Sequence, residues 1–369
     1  MDVTGLTSSP AEPPGGDTQG RGLRPASILD VAAAAGVSYQ TVSRVINSHP
    51  NVRPTTREVV LAAIEELGFR PNRAARVLRG GPARSVTVLT PNTSLYGYQA
   101  ALHGIEEAAR AAGFAVGVRV VESALPQEVA DAVARAVEPG GSLIVIAYDQ
   151  AGTMVLDAVP PDVPMAAMVE APAGDPGPQR PWVWLDDRKA AAQATRYLLS
   201  LGHQTVHYLA IPSSTHASQR QAGWREALVD AGAPVPAPLQ CGWTPRSGYE
   251  AGRVLASDPE VTAVLCGNDD LALGVMRAMH AAGLAIPGDV SVVGFDDTPV
   301  AEFLTPPLTT VRLDFNELGR ACFALLLALT KRKEALPHAR RPEPELIIRE
   351  SAGPPSLPRG SGTTRAAGT

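Results

Sequence analysis

From Val86 onward, short apolar runs alternate with longer amphipathic stretches. SVTVLT, AVGVRVV, SLIVIA, VPMAAMV and PWVWLD, then TVHYLAI, AVLCGND and DVSVVGF, read as strands. GIEEAARAAG, PQEVADAVARAV, AAAQATRYLLSLG, RQAGWREALVDAG and LALGVMRAMHAAG read as helices. Strands this apolar are buried on both faces, which requires parallel sheets covered by helices on either side. The alternation suffices for two such sheets, dividing near residues 186–192. The expectation is two similar α/β lobes with a cleft between them.

Residues 27–80 follow a different period. SILDVAAAAG places Ser27 three residues before Asp30, a capping arrangement, and stops at Gly36. Ser38 opens a second helix after a very short turn. PTTREVVLAAIEEL forms a third, with Val59, Val60, Ala63, Ile64 and Leu67 expected on its buried side. PNRAARVLRGG is a short fourth segment ending in two glycines. Two short helices joined at AGVS have helix-turn-helix spacing. Val37, Val42 and Val45 are expected beneath the turn, which leaves Tyr39, Gln40, Ser43, Arg44 and Asn47 to face outward. Gln pairs with adenine and Arg with guanine in a major groove, so this face carries residue types suited to reading DNA.

Charge strengthens that reading. The net charge of the 369 residues is -5, but residues 21–84 hold ten arginines, no lysine and four acids, a balance of +6. Residues 1–20 hold three acids and no base, so the remainder carries -8. A small basic module joined to a larger acidic body implies an anionic partner for the module. The three cysteines, Cys241, Cys266 and Cys322, are odd in number and widely spaced, which points to a reducing compartment. Residues 1–24 and 351–369, rich in Gly, Pro, Ser and Thr, read as flexible arms. ACFALLLAL is too short to span a bilayer, and no basic-then-apolar leader is evident, so a cytoplasmic protein is expected. No GxGxxG or GxxxxGKS/T loop, metal-ligand spacing or nucleophile–base pairing occurs, so neither cofactor, metal nor enzyme activity is expected.

DVAAAAGVSYQTVSRVIN followed by NVRPTTREVVLAAIEELGFRPNRAARVL resembles the DNA-binding headpiece of the LacI/GalR family. The resemblance implies that Tyr39, Gln40 and Arg44 read the major groove, with Ser38, Thr41, Asn47, Arg57 and Asn72 near the DNA backbone. PNRAARVL resembles the family's hinge helix, so Ala75 is expected at the minor groove and Leu78 as a wedge at the operator centre. Such a short segment is unstable alone, and a Leu wedge kinks DNA. Two reading helices and a central wedge require a homodimer on a pseudo-palindromic operator.

The likeness continues to about Ala352 through YLLSLGHQTVHYL, GNDDLALGVMRAMHAAG, DVSVVGFDD, PPLTTVRLDFNELGR and LIIRES. It implies an all-α helix-turn-helix headpiece (25–70) and hinge (71–81), then a two-lobed periplasmic-binding-protein-like (type I) core of parallel sheets (85–350). The first lobe takes about 85–188 plus 314–331, and the second about 189–313 plus 332–350. Ligands of open α/β sheets sit beyond the carboxyl ends of the strands. The family pattern implies Arg220 as the clamp on ligand hydroxyls or a carboxylate, Asn268 and Asp296 as polar contacts, and Trp243 and Phe315 as apolar walls. In the first lobe Tyr96 stands where a ring is expected, with Tyr98 as its rival, and Glu170 where relatives place an aspartate. Arg donors opposed by carboxylates suit a polyol, so the implied effector is a mono- or disaccharide acting on a transcription repressor. A nucleobase or other metabolite acting as corepressor is the alternative, and a solute-binding protein a remote one. Trp224 is expected in the core.

Overall fold

The computed structural model describes residues 26–46, 51–69, 85–123, 125–137, 141–170, 181–213, 218–331 and 342–355. The expected arm (1–24), the hinge and most of the C-terminal tail lie outside these residues, and with them Asn47, Asn72, Ala75 and Leu78. The chain forms two compact units, Met1–Pro82 and Ala83–Thr369.

The first unit contains α1 (Ile28–Ala34), α2 (Tyr39–Ile46) and α3 (Pro54–Glu66). Ser27 and Asp30 form the expected capping box, each side chain accepting from the other's backbone N–H. Gly36 turns the chain with φ +62°, a conformation that favours glycine over residues bearing a Cβ. Ser38 accepts from the Thr41 amide at 3.2 Å as α2 begins. Val31, Ala32, Ala35, Val42, Val45, Val60 and Ala63 make the core, with Val37 and Ile64 packed at its edge. The reading of α3 needs one correction. Val59 and Leu67 are 51% and 38% exposed, because the three-helix core is reached only by the narrow Val60–Ala63 side of the helix.

The second unit alternates strands and helices. Its first sheet holds β1 (Ser85–Thr90), β2 (Ala115–Val120), β3 (Ser142–Ala147), β4 (Met165–Val169) and β5 (Trp182–Val183), in the order β2-β1-β3-β4-β5. Its second holds β6 (His207–Ala210), β7 (Leu239–Gln240), β8 (Ala263–Cys266), β9 (Ser291–Asp296), β10 (Thr309–Arg312) and β11 (Glu345–Ile347), in the order β11-β10-β9-β8-β6-β7. Every pairing is parallel except β10 with β11.

The helices are α4 (Tyr96–Ala111), α5 (Pro126–Ala136), α6 (Gln150–Ala158), α7 (Asp187–Ser200), α8 (Gln219–Asp230), α9 (Pro245–Ala256), α10 (Asp269–Ala281) and α11 (Phe315–Thr330). Helix α11 follows the second sheet's β10 yet packs on α4, β3 and β4 of the first. One apolar cluster runs through both sheets, from Val86 and Ile144 to Tyr208 and Phe295. Trp224 is fully buried within it, donating its indole N–H to the Val206 carbonyl at 2.8 Å.

Candidate functional site

In the first unit, α2 is amphipathic by construction. Val42 and Val45 face the core, and Tyr39, Gln40 and Arg44 are exposed on the other side. The Ser38 and Thr41 hydroxyls stand 3.0 Å apart at the helix start. Arg57, on the first turn of α3, is half-buried. The described portion of this unit therefore offers one polar face that carries a phenol, an amide and a guanidinium, with hydroxyls at its start. Such a set can hydrogen-bond both base edges and phosphates.

The second unit holds a cavity enclosing about 770 Å³, its open mouth included. Arg220, Trp243, Asn268, Asp296, Phe315, Tyr96 and Glu170 all line it, so the structure brings together the seven residues singled out in this part of the sequence. They arrive from separate elements: Tyr96 and Phe315 open α4 and α11, Glu170 follows β4, Arg220 lies in the first turn of α8, and Asp296 ends β9. Within each sheet the parallel strands end on one edge, and residues at and after those ends in both sheets line the cavity.

The polar floor is built around Arg220. Its Nε donates to Asp187 Oδ1 at 3.1 Å, its Nη1 donates to the Gly267 carbonyl, and Nη1 stands 3.5 Å from Asp296 Oδ1. Its guanidinium also lies 4.4 Å from the centre of the Phe295 ring. Burial opposes the charge on Arg220, but the Asp187 and Asp296 carboxylates outweigh it and raise its pKa. Burial pushes the carboxyl of Asp187 above the usual carboxylate range and that of Asp296 well above it, with Arg220 pulling each back. Asp296 and its neighbour Asp297 have φ of +104° and +52°, values L side chains rarely adopt. Asp297 is held by Arg312 and Arg349, each at 2.7 Å.

The cavity lining is also aromatic. Phe315 meets Tyr96 with ring centres 6.3 Å apart and Tyr148 at 5.9 Å, and Tyr148 in turn meets Tyr98 at 5.2 Å. Tyr98 is buried and donates to Asp149 at 3.1 Å. Two expected ligand contacts have structural partners as well. Asn268 caps α10 through the Leu271 amide at 2.8 Å and donates to the Trp243 carbonyl at 3.1 Å. Glu170 accepts from Ser213 Oγ at 2.5 Å and from the Gln219 amide at 2.9 Å, linking the end of β4 to the start of α8.

Sequence reasoning missed Asp187 and Tyr148. Asp187 opens α7, and only tertiary contact reveals that it neutralises Arg220. Tyr148 follows directly on β3, so the rule that ligands gather beyond strand ends marks it out once β3 is placed. Among the described residues no cluster of His, Cys, Asp or Glu is arranged to hold a metal ion. No described helix is long and apolar enough to cross a membrane.

Residues 27–72 match the pattern of bacterial regulatory proteins of the lacI family, and residues 195–352 that of the periplasmic binding protein-like domain. The lactose operon repressor of Escherichia coli (strain K12) is 34% identical over 315 residues, covering 84% of this chain and 86% of that protein. This chain belongs to the LacI family. The HTH-type transcriptional regulator CelR of Thermobifida fusca is likewise 34% identical, over 340 residues and 87% and 96% of the two chains. The solved lac repressor dimer bound to operator and the anti-inducer ONPF matches with a TM-score of 0.76 at 31% identity, covering 89% of this chain and all of that one. The CelR–cellobiose complex matches with a TM-score of 0.65 at 30% identity, over 89% and 100% of the chains. A LacI-family chain with these relatives is a DNA-binding transcription regulator, and no enzyme.

Proposed function

We propose that this protein is a dimeric repressor that binds a pseudo-palindromic operator and whose affinity for it is set by a neutral mono- or disaccharide bound between two lobes. The first lobe is 85–188 with 314–331, and the second 189–313 with 332–350. Tyr39, Gln40 and Arg44 read bases; Ser38, Thr41, Asn47, Arg57 and Asn72 contact the backbone; Ala75 and Leu78 enter the minor groove. The observation that carries the effector half is the cavity, lined by an arginine flanked by carboxylates and by a set of aromatic rings. Sugar hydroxyls both donate and accept, and sugar C–H faces pack on aromatic rings. Among the described residues, Glu170, Asp187, Asp270 and Asp296 line the cavity against a single arginine, which disfavours phosphorylated sugars and other anions. The cellobiose complex of CelR supports the same class.

Effector binding must favour one arrangement of the protein over another, and operator must reciprocally change effector affinity. A thermal-shift series with glucose, galactose, lactose, cellobiose, glucose 6-phosphate and hypoxanthine tests the reading, followed by operator titrations with each ligand that binds. Stabilisation by a neutral sugar that weakens operator binding, and its loss in Trp243→Ala, is the expected result. Stabilisation by hypoxanthine alone, with tighter operator binding, would replace the inducer reading with a corepressor.

A further inference from the structure

Among the described residues, five have a buried side-chain polar atom with no hydrogen-bond partner in the protein: Tyr148, His207, Tyr208, Asp296 and Asn316. Only Tyr148 and Asp296 of these line the cavity. Buried polar atoms are nearly always paired, so two orphans at one cavity call for an explanation. They also come from different sheets, Tyr148 from the end of β3 and Asp296 from the end of β9.

Neither group can easily find a partner by turning. The Tyr148 ring is wedged between Tyr98 at 5.2 Å and Phe315 at 5.9 Å. Asp296 sits on strained backbone beside the Asp297 clamp, with Arg220 Nη1 3.5 Å from its Oδ1 yet not hydrogen-bonded to it. Burial raises the phenol's pKa well above its ordinary value, so at neutral pH it remains an O–H donor.

We propose that Tyr148 is a specificity-determining residue of the effector site, its phenol donating to an oxygen of the bound saccharide while Asp296 Oδ1 accepts from a saccharide hydroxyl on the second-sheet side. The inference rests on the saccharide reading given above. It adds a hydroxyl donor at the end of β3 to the Glu170 carboxylate that the first sheet already brings to the cavity. A ligand bridging both groups ties the ends of β3 and β9 together, which gives the effector a direct hold on both halves of the cavity.

Tyr148→Phe removes one oxygen and keeps the ring, and two measurements on the full chain test the idea. In denaturant unfolding without ligand, Tyr148→Phe should be as stable as the wild type or more so, because an unpartnered buried hydroxyl is only a desolvation cost. A clear loss of stability would show that the hydroxyl serves the fold and would overturn the proposal. By calorimetry, whichever of glucose, galactose, lactose or cellobiose stabilises the wild type should bind Tyr148→Phe about tenfold more weakly, the size of one lost hydrogen bond. Equal affinity would overturn the role of Tyr148 and leave the saccharide reading standing. If none of these sugars binds the wild type, the saccharide reading falls and this inference falls with it.

Discussion

Arg220 and Asp187 form a buried pair, Nε to Oδ1 at 3.1 Å, with each side chain only about one-tenth exposed. The pair joins the first turn of α8 to the first residue of α7, and Arg220 also faces Asp296. A single guanidinium therefore compensates two buried carboxylates. Removing it strands both, and breaking a buried pair from one side costs about 3–5 kcal/mol. Arg220→Ala should lose stability on that scale in urea unfolding, apart from any effect on effector binding. Arg220→Ala combined with Asp187→Asn and Asp296→Asn should recover much of the loss. A single variant as stable as wild type would show that the carboxylates are not charged in the fold.

Asp269 supplies a pH signature. It accepts from Thr310 Oγ1 at 2.6 Å and from the Thr298 amide at 2.7 Å and hydroxyl at 3.0 Å, tying the start of α10 to the loop after β9 and to β10. Burial nonetheless prevails over these bonds and lifts its pKa from 3.8 to about 6. The folded state thus keeps this proton to higher pH than the unfolded chain does. Its stabilising share is full below pH 3.8 and is lost as pH rises through about 6. At roughly 1.4 kcal/mol per pK unit the change is on the order of 3 kcal/mol. Unfolding free energies at about pH 4 and pH 7 should fall more for the wild type than for Asp269→Asn. Parallel profiles would remove Asp269 as the cause.

The strained turn at Asp296–Asp297 allows backbone and charge to be separated. Asp297 has φ +52° and is clamped by Arg312 and Arg349, the latter also donating to the Leu308 carbonyl at 2.8 Å. Asn tolerates the left-handed region while losing the charge; Ala loses the charge and adds a backbone penalty of roughly 1–2 kcal/mol. Asp297→Ala should therefore be less stable than Asp297→Asn by about that amount in denaturant unfolding. Both variants should bind effector more weakly, since the turn aims Asp296 into the cavity. Equal stabilities would place the whole contribution in the ion pairs.

The headpiece was legible because its signals are local: a Ser27–Asp30 box, a Gly36 turn, and valines spaced to face one side. The fully buried strands β3, β8 and β9 were legible as continuous apolar runs. Helix α9 was not, because PRSGYEAGRVLA carries glycines that argue against a helix. Tertiary packing explains both: a Cβ on Gly248 would lie 2.2 Å from the Leu271 carbonyl oxygen of α10, and one on Gly252 would lie 2.8 Å from the Ala278 Cβ of the same helix. Helix α6 and the short strands β7, β10 and β11 also went unread, being too brief for their periodicity to stand out. At the site, Glu170, Asn268 and Asp296 were readable at or just after strand ends, Tyr148 was passed over although it holds the same kind of place, and Asp187 owes its importance to a partner 33 positions away.

The polar face of α2 yields the remaining prediction. Arg44 is exposed on the side of the helix opposite the buried Val42 and Val45, so truncating it leaves the headpiece core untouched. If the guanidinium reads a guanine edge, Arg44→Ala should weaken binding to a symmetric operator by ~1–3 kcal/mol per half-site. Affinity for random-sequence DNA should fall far less, and the salt dependence of specific binding should change little, because phosphate contacts set that slope. If Arg44 instead contacts phosphate, both DNAs should weaken together and the slope should drop by about one. Filter-binding or anisotropy titrations on the two DNAs across a salt series separate these outcomes. Gln40→Ala provides the parallel test for an adenine contact, with the same expectation of sequence-dependent loss.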